Sequence, residues 1–130
     1  MNVVLWIAQG LLAALFLYSG ALKLTWSKAR LVGSGQTGVE PYPLPVIRLT
    51  ATAELFAVAG LIAPEATGIA PALTAGAAIG LMVVMLGAMA GHSVMLRADL
   101  RAGRGPREAR NIVLNTVILA LCVFVAVQRI

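Results

Sequence analysis

The sequence predicts an all-α fold, a single integral membrane bundle of four antiparallel helices. Three observations carry this. Hydrophobic residues make up 60% of the 130, only 12% are charged, and the mean hydropathy is +0.92. A water-soluble domain of this size would lack the polar surface to cover itself. Four apolar stretches are each long enough to cross a hydrocarbon core of ~30 Å at ~1.5 Å per residue. Nine of the ten basic residues fall to one side of those crossings.

The first stretch is Val3–Leu22. No basic run precedes it, and Lys23-Leu24-Thr25-Trp26 follows it where a small-residue cleavage site would stand, so it reads as a retained helix. The connection Leu24–Pro45 begins basic and turns rich in glycine (Gly33, Gly35, Gly38) and proline (Pro41, Pro43, Pro45), which argues against continuous helix. The second helix is Val46–Ala63, and Pro64–Gly68 is a tight turn that makes it an antiparallel neighbour of the third, Ile69–Gly91. Ser93–Arg110 is a polar connection in which Gly103, Gly105 and Pro106 break any helix. Asn111–Val127 is the fourth crossing.

The net charge of +5 and pI near 10.4 would suggest nucleic-acid binding in a soluble protein. Here the basic residues lie between apolar runs, and topology explains them. Lys23, Lys28, Arg30, Arg48, Arg97, Arg101, Arg104, Arg107 and Arg110 share one side, with Arg129 alone opposite. The bias of basic residues toward the cytoplasm puts both termini outside. The third helix carries Gly76, Gly80, Gly87 and Gly91 near one face, a seam that lets a neighbouring backbone approach closely. Trp6, Tyr18, Trp26 and Tyr42 fit an interfacial aromatic belt. The one cysteine, Cys122, lies in an apolar run and reads as a small buried hydrophobe. Met82, Met85 and Met89 read as packing, with no second histidine or cysteine to complete a metal set.

Ionisable groups inside a span are costly and mark function first. Glu54 lies about two turns inside the second helix and must protonate or find a partner there. Its half of the membrane also receives Ser19 and Lys23 from the first helix, Arg48 and Thr50 from the second, His92 at the end of the third, and Asn111 and Asn115 from the fourth. The other half offers only Gln9. Polar groups from four helices at one level predict a pocket or a hydrogen-bonded network. Glu54 and His92 are the candidates for chemistry, and Ser19, Lys23, Arg48, Asn111 and Asn115 for binding a ligand. Each has a plainer reading. Glu54 also fits a structural ion pair, His92 a helix cap, Lys23 and Arg48 snorkelling, and the asparagines helix–helix contact.

The ordered set of residues resembles a known family. It runs through Leu5-Trp6-Ile7 and Phe16-x-x-x-Gly20-x-x-Lys23-Leu24, then Arg48, Glu54-Leu55 and Gly60-Leu61-Ile62-x-Pro64. It continues with Gly68-Ile69-Ala70-Pro71, Ala77-Ala78-Ile79-Gly80-Leu81-x-x-x-Met85-Leu86-Gly87-Ala88, His92, Asn111-x-Val113-Leu114 and Arg129. Together these look like the DoxX-like family of small bacterial membrane proteins. The resemblance implies a four-helix membrane bundle. It also implies association with quinone-linked or thiol-redox membrane complexes, and more distant animal relatives act as assembly chaperones. This chain lacks the paired cysteines of dithiol chemistry.

The leading expectation is a redox-associated membrane subunit that holds a quinone or other isoprenoid lipid, with no covalently bound cofactor. The chain would work as a homo-oligomer or within a larger membrane complex. A non-catalytic assembly subunit acting through the glycine seam is the alternative. A lipid isomerase or cyclase using Glu54 as acid comes last.

Overall fold

The computed structural model describes residues 2–130. Four long helices form the bundle: α1 (Asn2–Thr25), α3 (Leu44–Thr67), α4 (Ala72–Arg101) and α5 (Ala109–Arg129). All four are long and apolar enough to cross a membrane. The connection after α1 is itself folded, with a short helix α2 (Lys28–Gly33) and a 3₁₀ turn at Thr37–Val39. Helix α1 packs on α3, α3 on α4 and α4 on α5, while the α5–α1 contact that closes the ring is the thinnest.

The interior is apolar. Leu12, Phe16, Leu61, Ala78, Leu81, Met85, Cys122 and Val125 form the core. The outer faces are equally apolar, with Phe56 76% and Leu49 71% exposed. Exposed side chains of that kind belong against lipid. A small second core of Leu31, Val39 and Ile47 seats α2 and the 3₁₀ turn at the basic end of the bundle.

The helices differ from the sequence expectation at their ends. Pro64 lies inside α3, which runs on to Thr67. Gly60, one turn earlier on the same face, has no side chain, and a Cβ there would press on Ala77 of α4. Gly68, with φ of 72°, ends α3, and α4 starts at Ala72 instead of Ile69. At its far end α4 continues ten residues past Gly91, because no glycine or proline interrupts Ser93–Arg101. At ~1.5 Å per residue α4 is about 45 Å long, more than a bilayer core requires. The turn beyond it is held by Asp99, fully buried, whose carboxylate accepts from Arg104 at 2.8 Å and Arg107 at 2.9 Å. Gly103 and Gly105 supply the positive φ this turn needs.

The glycine face of α4 divides in two. Gly87 and Gly91 lie under the folded connection: the Gly91 Cα stands against the Gly38 carbonyl, and the Tyr42 hydroxyl donates to Gly87 O at 2.7 Å. Gly76 and Gly80 face outward, with nothing near enough to meet a Cβ. No described residue meets α4 at Gly76 and Gly80, and what approaches it at Gly87 and Gly91 is a loop, not a helix.

Candidate functional site

A cavity of about 490 Å³ opens at the basic end of the bundle, within the range of ligand pockets. Its walls are mostly apolar: Leu15 and Phe16 of α1, Ile47 of α3, Val84 and Met85 of α4, and Leu114 and Ile118 of α5. The folded connection roofs it with Gly35, Gln36, Gly38, Val39 and Tyr42. Exposed Leu15, Tyr18 and Leu114 on its rim lie beside the thin α1–α5 contact, so the cavity reaches the lipid-facing surface there.

Five of the seven residues singled out in the sequence line this one space: Ser19, Lys23, His92, Asn111 and Asn115. The other two do not. Glu54, fully buried, stands behind Lys23, whose Nζ donates to Glu54 Oε1 at 3.1 Å, with Ser19 Oγ at 3.5 Å. Arg48 donates to the Lys23 carbonyl at 2.6 Å and so caps the C-terminus of α1. Lys23 is thus an ion-pair partner held inside the bundle, not a snorkelling side chain. Among the described residues three buried side-chain atoms have no hydrogen-bond partner: Thr74 Oγ1 at the start of α4, and at this end Glu54 Oε2 and Asn115 Nδ2. Of these, Asn115 lines the cavity.

His92 does not cap a helix, because α4 continues beyond it. Its Nδ1 lies 2.8 Å from Glu108 Oε2, which also accepts from Thr37 Oγ1 at 2.7 Å and Asn111 Nδ2 at 3.0 Å. Asn111 is accordingly tied to this knot and not across a helix seam. Burial pulls the Glu108 carboxyl upward, yet the hydrogen bonds from Asn111, Thr37 and His92 outweigh it and hold it below the ordinary carboxylate range. Glu108 and Thr37 escaped the sequence reading because both sit in polar connections, where a carboxylate and a hydroxyl are ordinary. The folding of the Leu24–Pro45 connection back onto α4 brings Thr37 to His92, and the turn between α4 and α5 brings Glu108.

Of the aromatic residues near this end, Tyr18 stays exposed on the rim, while Tyr42 and Trp26 are engaged within the fold. Tyr42 roofs the cavity, and Trp26 lies under the Arg30 guanidinium, 4.0 Å from the ring centroid.

The opposite end has its own polar cluster. Arg129 donates to Gln9 Oε1 at 2.8 Å, pairs with Glu65 at 3.4 Å and lies 5.7 Å from the centre of the Trp6 ring. Gln9 Nε2 also donates to Leu61 O. Gln9 is therefore not alone in its half. This cluster joins α1, α3 and α5 and lies apart from the cavity at the basic end.

A family model described as the DoxX-like family matches residues 7–125. The chain belongs to the DoxX-like family. No curated protein and no solved structure matches it. The four membrane-length helices fit what the resemblance implies, and in this DoxX-like chain the polar side chains that line the cavity gather at the end where the connection folds inward.

Proposed function

We propose that this DoxX-like protein is a redox-associated membrane subunit that holds a quinone or similar isoprenoid lipid in the cavity. The observation that carries the reading is a largely apolar space of about 490 Å³ with Lys23, His92 and an unpartnered Asn115 amide in its lining. An apolar tail suits the walls, and an oxygen-bearing head suits the donors. The positive charge of Lys23 is balanced by Glu54 at 3.1 Å, so the lining favours a neutral head with carbonyl acceptors over a phosphate. The rim beside α1 and α5 supplies an entry from the membrane. On the basic-residue bias, this end faces the cytoplasm of a bacterial inner membrane and both termini face outward.

In this reading Glu54 acts through Lys23 and is a positioning residue. Asn115 and Lys23 hold the head, Ser19 steadies the Lys23–Glu54 pair, and Arg48 fixes the end of α1. A lipid isomerase with Glu54 as acid is disfavoured, because Glu54 is not in the lining. The test is a titration of a short-chain benzoquinone into purified protein in nanodiscs. Asn115→Leu and Glu54→Gln are each expected to weaken binding by roughly tenfold, the loss of about one good hydrogen bond or charge partner. Wild-type affinity in both variants would reject the reading.

One observation favours a second role beside the first. Gly76 and Gly80 lie on the outer face of α4 with open space before them, which suits close approach of another transmembrane helix. The chain would then also serve as an assembly element of a larger membrane complex.

A further inference from the structure

A second cleft, of about 470 Å³, lies outside the first at the basic end, lined by Val32, Gly35, Thr37, Met95, Arg107, Glu108, Arg110 and Asn111. Gly35 and Asn111 border both spaces. What separates them is the knot of Thr37, His92, Glu108 and Asn111. His92 lines the inner cavity and Glu108 the outer cleft, with 2.8 Å between Nδ1 and Oε2.

We propose that His92 and Glu108 form a proton relay that connects a hydroxyl- or carbonyl-bearing ligand in the inner cavity to water in the outer cleft. The inference rests on the ligand reading above for what occupies the cavity. Glu108 Oε2 accepts three hydrogen bonds, and its Oε1 accepts none from the described residues. A neutral His92 that donates its Nδ1–H to the carboxylate keeps a lone pair on Nε2, which has no partner among the described residues. When a bound phenolic O–H ionises, its proton passes to Nε2 while the Nδ1 proton passes to the Glu108 carboxylate. Glu108 then releases that proton to water in the outer cleft. One proton crosses, the ring stays neutral, and no electron moves. The reverse sequence protonates a bound oxyanion.

The surroundings suit the task. Thr37 and Asn111 hold the carboxylate from the 3₁₀ turn and from α5, and Arg107 and Arg110 border the outer cleft beside it. Lys23 borders the inner cavity from α1, its charge answered by Glu54, and Tyr42 is committed to Gly87 O. Glu54 has no such outlet. Its recorded partners are Lys23 and Ser19, and it borders neither space.

His92 is the one histidine of the chain, so its ring is directly readable by ¹⁵N NMR. In nanodiscs without added ligand, the ring proton is expected on Nδ1. Its exchange with water should slow on the order of a hundredfold in Glu108→Gln, the scale of a positioned acid–base group. Glutamine still accepts the hydrogen bond but cannot take up and release a proton as a carboxylate does, and Glu108→Asp should recover part of the rate. Equal exchange in wild type and Glu108→Gln, or a ring proton on Nε2, would overturn the relay. A short-chain benzoquinone added to the same samples separates the two readings. Failure of binding with slowed exchange sinks the ligand and keeps the relay, whereas binding with unchanged exchange does the reverse.

Discussion

Lys23 and Glu54 meet at 3.1 Å, with their side chains 10% and 0% exposed. Removing one partner of a buried pair leaves the other charge uncompensated, and that loss exceeds the net worth of the pair. Lys23→Met is therefore expected to destabilise the bundle by about 3–5 kcal/mol. Lys23→Met combined with Glu54→Leu should restore most of it, since an apolar pair of similar volume needs no counter-charge. Thermal unfolding in detergent of the four members of the cycle checks this. Additive losses in the double variant would show that the two residues are not coupled. Glu54 was legible in the sequence as a carboxylate inside a span, and Lys23 as a partner within reach. Glu108 was not, because nothing in a polar connection distinguishes a carboxylate bound for the interior from one bound for water.

At the scale of elements, the folded connection between α1 and α3 decides what the site is. Its proline and glycine content announced that it was no continuous helix, but not that Gly38 would seat on Gly91 or that Thr37 would reach Glu108. Those contacts join residues more than fifty positions apart and leave no local periodicity to read. The same limit applies to α4, whose last ten residues are polar enough to pass for a loop yet contain nothing that breaks a helix. The knot at Glu108 carries a pH prediction. Its carboxyl ionises below the ordinary value of about 4.3, so the stabilisation is present above that value and is lost as the pH falls through the lower folded-state value. Amide exchange across residues 37–42 should therefore stay slow down to about pH 4.3 and rise below it. Thr37→Val, which removes one of the three hydrogen bonds to Oε2, should move that release to higher pH. Release that begins near neutrality would contradict the assignment.

At the scale of the whole molecule, the four-helix count and the one-sided distribution of basic residues came directly from composition and spacing. They do so because lipid demands long, internally hydrogen-bonded apolar segments and tolerates little else. The outward Gly76–Gly80 face is a whole-molecule feature as well. Gly80→Leu is expected to weaken association with other membrane helices while leaving the cavity intact, since no described residue comes within 4 Å of a Cβ placed there. Chemical cross-linking in native membranes, wild type against variant, reads it, and an unchanged pattern would remove the assembly role.

An isoprenoid ligand in the cavity would lie against Ala88, which lines it at the edge of the α4 core. The most direct measurement is mass spectrometry of the lipids that co-purify with wild type and with Ala88→Phe in mild detergent. A quinone or other isoprenoid is expected in near-stoichiometric amount with wild type, and its depletion is expected when phenylalanine fills the space. Bulk phospholipid alone in both samples, from protein that remains folded, would contradict it.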